Sequence, residues 1–302
     1  MEKLILDLLK IESYSGNEKK VADFIISKLK GFEIECQLVA KNRFNIIAKK
    51  GNSKIWLLAH MDTVKSWIEP RIEGNKIYGR GAVDNKGNIA SAIEVGKRLE
   101  NINLCFTVGE EYDFIGAKSA RKIIKNDLVV VMEPTNFEIY SGQRGMIEFE
   151  ISTKGKQGHS AYANSKNNAI QKIANIIVSF ERKKWTAFNV GKIEGGIAAN
   201  IVAPVANAII SVRPETTREY NSILRDIKNF KILNNIPPVV NQKIKGKIKK
   251  AFTEMAFFEN SIVFGAGDFK QAHSDKEYIL RKDLKLAPEK IIKLLEKISK
   301  NA

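Results

Sequence analysis

Three apolar runs in the first half of the chain, KIWLLAH (54–60), INLCFTVG (102–109) and DLVVVME (127–133), each end at or beside a histidine or an acid. They read as short buried strands. Between them, GNIASAIEVGKRLE and GAKSARKIIK carry apolar residues at helical spacing, which predicts helices over 89–100 and 116–125. Strand and helix in alternation imply an α/β fold, a sheet covered by helices. Upstream, the spacing predicts an amphipathic helix at the start of the chain and a second over 17–30, with Asn17 as its N-cap. Strands are expected at 32–40 and 44–50, and a hairpin-like piece in RIEGNKIYGRGAVDNKGN (71–88).

After residue 140 the pattern changes. GMIEFEISTKG (145–155) alternates apolar and polar residues, as a half-exposed antiparallel strand does. Further strands (186–194 and 205–213) and helices (167–184 and 216–229) follow, and Pro237–Pro238 marks a linker. The expected organisation is a catalytic domain in two parts, 1–142 and 241–302, with an α+β domain inserted over 143–240. The last part supplies a strand at 261–265 and a terminal helix at 287–300.

No apolar stretch approaches the roughly 18 residues that span a bilayer. The charged, amphipathic start is unlike a signal peptide, so a cytoplasmic protein with no membrane partner is expected. Cys36 and Cys105 form no CxxC pair and read as two buried thiols. The chain carries 50 Lys and Arg against 34 Asp and Glu, a net charge of +16. Basic clusters occur at 118–125, 181–185 and 242–250. A lysine- and isoleucine-rich thermophilic or AT-rich source, a nucleic acid, or an acidic protein partner would each account for the excess. No aromatic-basic interleaving supports nucleic acid, and none is expected as a partner.

The chemistry lies where the strands stop. His60 and Asp62 end one strand, Glu110 and Glu111 follow the next, and Glu133 ends a third. His273 follows the strand at 261–265, and Asp84 lies in a glycine-flanked turn before a helix. Open α/β sheets bind ligands at the carboxyl ends of their strands. Singly, each residue has an ordinary reading: a capping or surface acid, an acidic loop pair, a satisfied core histidine. Together they bring two imidazoles and five carboxylates to one edge. Crowded carboxylates raise one another's pKa values, and cations relieve that repulsion. Imidazole and carboxylate without thiolate suit zinc and its first-row neighbours, cobalt included, in an open site. The count fits two divalent ions, each with one His and one carboxylate, joined by a third carboxylate.

LLAHMDTV (57–64), YGRGAVDNKGNIASAI (78–93), TVGEEYDFIGAKS (107–119), VVVMEPTN (129–136), GKQGHSA (155–161) and FGAGDFKQAHSDKEYI (264–279) occur in this order. The set resembles the acetylornithine deacetylase / succinyl-diaminopimelate desuccinylase family of dinuclear zinc hydrolases, over most of the chain. The resemblance implies that helices cover both faces of a mixed zinc-peptidase-like sheet, and that 143–240 is a ferredoxin-like lid and dimerisation domain. It implies metal ligands His60 and Glu133 for one ion, Glu111 and His273 for the other, and Asp84 as the bridge. Glu110 would be the general base, and Asp62 would orient His60. His159 would stabilise the oxyanion, in several members of the family from the partner subunit, and Asn200 and Arg213 would contact substrate. The chain departs from the family at KKAFTEMAFFENSIVFGAGD (249–268), which is shortened, with Thr253 alone recognisable.

Within the family, MEPTN and the stretch after it look most like the archaeal branch that frees lysine or ornithine from an acidic amino-group carrier protein, in lysine and arginine biosynthesis. A basic rim would steer such a carrier. Deacylation of small N-acyl amino acids, or a dipeptidase activity, is the alternative.

Overall fold

The structure, a computed structural model, describes residues 1–300, so the last two positions of the expected 241–302 segment lie outside the described residues. Its contacts separate two compact units: Met1–Gly142 with Val240–Lys247 and the chain from Thr253 onward, and Gln143–Val239 with Ile248–Phe252.

In the first unit the strands are β1 (Glu33–Ala40), β2 (Arg43–Lys50), β3 (Ile55–His60), β4 (Arg71–Glu73), β5 (Lys76–Tyr78), β6 (Ile102–Thr107), β7 (Leu128–Val131) and β8 (Tyr140–Gln143). The central sheet runs β1-β2-β6-β3-β7, then the strand Ser261–Val263, then β8. Neighbours among β6, β3, β7 and Ser261–Val263 are parallel, and the flanking pairs are antiparallel. Alternate residues of these strands enter one core: Leu57 and Ala59, Leu104 and Phe106, Val130 and Met132, Ile262 and Phe264. Helices α1 (Glu2–Leu9), α2 (Lys19–Ile26), α3 (Lys86–Arg98) and α7 (Arg281–Ser299) close over that core. The intervening residues Leu58, Cys105, Val129 and Val131 are buried outside it, on the face where α4 (Ile115–Ile124) packs with the short helix Glu254–Phe257. Strands buried on both faces have no room for polar alternation, hence the continuous apolar runs. Each fully buried Leu, Ile or Val contributes about 1.5–3 kcal/mol, so Leu57→Ala in mid-sheet would cost about 2–5 kcal/mol.

The second unit is built as β9 (Met146–Lys154), α5 (Ala169–Glu181), β10 (Phe188–Gly195), β11 (Val205–Val212), α6 (Thr217–Asp226) and β12 (Lys231–Ile236). Its sheet order β10-β11-β9-β12, antiparallel throughout, is the ferredoxin-like arrangement. One face buries Ile147, Phe149, Ile151 and Ile210 with Ile173, Phe180 and Ile223 of the two helices, while Val205, Ile209 and Ile232 stay exposed. Among the described residues no helix is long and apolar enough to cross a membrane.

Several local expectations change. Glu18, not Asn17, takes the N-cap position of α2, because its buried carboxylate is held by Arg43 at 2.6 Å and accepts the Gly16 N–H at 3.0 Å. Cys36 is exposed: β1 is an edge strand, and only Cys105 is buried. The terminal helix begins at Arg281, with Pro288 buried inside it rather than at its start. The strands β8, β12 and Tyr278–Leu280 were not legible in the sequence, being short or rich in polar residues.

Candidate metal centre

His60 is the last residue of β3, and Glu133 lies two residues beyond β7. Glu110 and Glu111 follow β6 in a turn rather than on extended backbone, so the turn, not strand alternation, separates their side chains. Gly109 starts that turn at φ +77°, and a Cβ there would come within 2.8 Å of Arg43 Nη2. Asp84 lies two residues before α3 in a buried loop, and His273 lies in the loop after Ser261–Val263.

These loops converge. Asp84 Oδ1 lies 2.9 Å from His60 Nε2, and Asp84 Oδ2 lies 3.5 Å from His273 Nε2. Glu133 Oε1 is 3.6 Å from the same His60 nitrogen, and Glu111 Oε1 is 2.9 Å from His273 Nε2. Donor atoms of His60, Asp84 and Glu133, of Asp84, Glu111 and His273, and of His60, Glu110 and Glu111 each fall within 4.8 Å of one another. His60 is fully buried, whereas His273 keeps 47% of its side chain exposed, leaving one open side.

Burial pushes the Glu110 carboxyl well above the usual range; His60 opposes this, while Glu133, Glu111 and Asp84 add to it. Glu111 is raised chiefly by burial, against the pull of His273. Burial works against a charged His60, yet Asp62, Asp84 and Glu110 outweigh it and raise its pKa well above the ordinary imidazole value. The hydrogen bond to Glu111 raises His273. Imidazoles and acids so withdrawn from water repel or share protons unless a cation lies among them. The donor set, nitrogen and oxygen without sulfur, fits zinc or a neighbouring divalent metal.

Asp62 does more than touch His60. The imidazole Nδ1 lies 3.0 Å from the Asp62 backbone carbonyl and 3.7 Å from its carboxylate. That carboxylate accepts the backbone N–H of Glu110 (3.0 Å) and of Glu111 (3.1 Å) and the Ser15 hydroxyl (2.6 Å). Asp62 therefore fixes the turn that presents both glutamates. Sequence reasoning missed Ser15, Lys86 and the pair Arg80–Glu277. Lys86, buried so that its pKa falls to about 8, donates to the Ile11 carbonyl at 2.6 Å. Arg80 lies in the GRG and Glu277 in the HSDKE of stretches already singled out, yet neither had a partner visible at a distance of 197 residues. Thr253 caps the helix Glu254–Phe257, accepting the Met255 N–H at 3.2 Å, so it has a structural role in the shortened segment.

In the second unit, His159 caps the short helix Ser160–Tyr162, its Nδ1 accepting the Ala161 N–H at 3.2 Å. It bridges to Ile201, and Ser160 N–H donates to the Asn200 carbonyl at 3.1 Å, which brings His159 and Asn200 together. Arg213 follows the far end of β11, its pKa lowered by burial and supported by the charge of Glu148. The eight residues of β11 span about 26 Å at roughly 3.3 Å per residue, so Arg213 does not join the other two.

Residues 141–233 match the peptidase dimerisation domain of the M20 family. An M20-domain peptidase of Schizosaccharomyces pombe is 33% identical over 90% of this chain and 78% of its own length. This chain belongs to the M20 peptidase family. It is accordingly an enzyme, a metal-dependent hydrolase of amide or peptide bonds. A second M20 relative, a probable carboxypeptidase of Aspergillus clavatus, is 33% identical over 74% of the chain, which spans 65% of that protein. Among solved structures, PepT aminopeptidase from Bacillus cereus superposes with a TM-score of 0.84 at 17% identity, covering 99% of both chains. A dinuclear metal-binding M20 peptidase from Bacillus subtilis gives 0.76 at 15%, over 99% of this chain and 98% of its own. These two share the M20 fold of catalytic and dimerisation domains.

Proposed function

We propose that this chain is a dinuclear metal-dependent hydrolase that cleaves the linear amide next to a free carboxylate in a small peptide. Asp84 carries the reading, with one carboxylate oxygen toward each imidazole. His60 and Glu133 would hold one ion, Glu111 and His273 the second, and Asp84 both. Zinc is the first choice of metal and cobalt the second. When bound, two such ions polarise the substrate carbonyl and lower the pKa of water from 15.7 toward about 7.

The remaining chemistry belongs to the chain. Glu110, raised by burial and by acid neighbours, is the base that accepts the water proton and returns it to the leaving amine. Asp62 keeps Glu110 and Glu111 in register through their backbone N–H groups. His159 would donate to the oxyanion through the ring nitrogen left open by its cap, with Asn200 beside it, and Arg213 would pair with the substrate carboxylate. The length of β11 parts His159 from Arg213 too widely for both to meet one small substrate from the same protomer. A homodimer in which His159 acts on the partner's substrate resolves this, and the dimerisation-domain match supports it. We place the enzyme in the cytoplasm.

The peptide reading is favoured by relatives named as carboxypeptidases. The second reading, release of lysine or ornithine from an acidic amino-group carrier protein, is favoured by the +16 charge. Zinc-loaded enzyme assayed side by side on N-blocked dipeptides, N-acetyl-lysine, N-acetylornithine and carrier-linked lysine separates them. Faster turnover of the dipeptide supports the first. A kcat/KM at least tenfold higher on the carrier, falling steeply with salt, replaces it with the second. No metal-dependent turnover on any of the four overturns both.

A further inference from the structure

We infer that Glu277 and Arg80, which belong to no metal-ligand group, are positioning residues that set the spacing between Asp84 and His273. The inference rests on the two-ion reading above. Glu277 is fully buried and Arg80 nearly so. Glu277 Oε1 accepts the backbone N–H groups of Val83 (3.0 Å) and Asp84 (3.1 Å), which clamps the peptide that carries the proposed bridge. Its other oxygen, Oε2, takes Arg80 Nη1 at 2.7 Å. The same guanidinium donates to the Ser274 carbonyl at 3.1 Å, directly after His273, and to the Ser66 hydroxyl (2.5 Å) and carbonyl (3.2 Å). The Glu277 backbone carbonyl accepts the Gly79 N–H at 3.2 Å.

Every one of these bonds ends on a loop that carries a proposed ligand or on a segment that braces one. An isolated buried ion pair is weak evidence for stability, since apolar replacements often serve as well. A pair whose remaining donors and acceptors all grip ligand-bearing loops has a different use. His273 needs such a grip: it is half exposed and adopts a left-handed backbone at φ +61°, which a loop of ordinary residues does not hold by itself. Two ions sharing Asp84 require its oxygens and the His273 ring at a fixed separation. The Arg80–Glu277 pair is a direct bonded link between those two loops.

Zinc binding, followed by competition with a chromogenic chelator and by cobalt absorption spectra, tests this in the full-length chain. Wild type should bind two ions. Glu277→Gln keeps one acceptor oxygen but opposes an NH₂ group to a donor. It should retain one ion and bind the second about ten- to hundredfold more weakly, with kcat falling and KM little changed. Glu277→Asp, which keeps the charge with a shorter reach, should lose less. Arg80→Lys preserves the pairing but gives up the fork to Ser66 and Ser274, and it tests the same link should Glu277→Gln not fold. Its second ion should also weaken. Either variant, folded by circular dichroism and binding two ions at wild-type affinity with an unchanged cobalt spectrum, overturns the positioning role. Wild type binding fewer than two ions overturns the two-ion reading instead, and this inference with it.

Discussion

The two units bury opposite things. Every buried acid among the described residues, and the buried histidine, belongs to the first unit, which withdraws His60, Asp62, Asp84, Glu133, Glu254 and Glu277 from water. The second unit closes an apolar core of isoleucine, phenylalanine, valine and alanine and keeps His159 and Asn200 at its surface. A core of the second kind is stable by itself. A cluster of the first kind is a liability until something neutralises it. The first unit is therefore organised around a ligand and the second around its own packing.

The largest test of this contrast is Glu110→Gln. It should lower kcat by about 10²–10⁴-fold while leaving the fold intact, since it replaces a carboxyl whose charged form its surroundings disfavour by a neutral isostere. Mixing Glu110→Ala with His159→Ala chains extends the test across protomers. If His159 acts in trans, a heterodimer keeps one site with both groups and regains part of the activity. No recovery in verified heterodimers would return His159 to its own protomer.

Metal removal should act next most strongly, and only on the first unit. In the metal-free protein, Glu110 and Glu111 have raised pKa values, so stability falls as pH rises from their unfolded values toward the folded ones. The raised His60 and His273 act in the same direction: their stabilisation is complete below the unfolded imidazole value and is lost as pH rises through the folded one. Asp62, lowered, matters only in stronger acid. Calorimetry of stripped protein should therefore show a Tm that declines from pH 5 to pH 8. Zinc at a thousandfold its Kd should restore about 4 kcal/mol, and a fixed zinc concentration should restore more at pH 8 than at pH 5, because the ligands must be deprotonated. A stripped protein that gains stability toward pH 8 would break the comparison.

A smaller effect isolates burial without metal. Glu254 is fully buried, and burial pushes its pKa from 4.5 up to about 7 against the pull of His60 and of the Thr107 hydroxyl. That displacement corresponds to about 3 kcal/mol at roughly 1.4 kcal/mol per pH unit. Sign follows from linkage: the charged form is disfavoured in the fold, so the loss grows from the unfolded pKa to about 7 and is complete above it. Glu254→Gln should stabilise the protein by up to about 3 kcal/mol at pH 8 and hardly at all at pH 4.5, measured by denaturant unfolding. Equal effects at both pH values would show that Glu254 is not held protonated.

Much of the first unit was legible because burial on both strand faces writes itself into sequence as unbroken apolar runs, and a polar residue at the end of such a run stands out. His60, Glu110, Glu133 and, through a later strand, His273 were singled out in that way. Glu277 and Arg80 were not, because a charged residue in a polar loop has no period and its partner is fixed only by tertiary closure. The turn that separates the Glu110 and Glu111 side chains was hidden for a related reason: how the chain leaves the strand at Gly109 is decided by packing around Arg43 and Asp113. β12, KILNNI, is one of the two outer strands of its sheet, with five of its six residues exposed, so no apolar alternation marked it.

The residues at 60, 84, 110, 111 and 133 all precede the second unit, while His273 and the residue that clamps Asp84 follow it. Synthesis runs from the N-terminus. A ribosome that has released the first sheet strands and the whole second unit has thus delivered a lopsided cage, lacking one imidazole and the brace for the shared carboxylate. Hydrolytic power is withheld from the growing polypeptide until the segment that carries His273 has emerged.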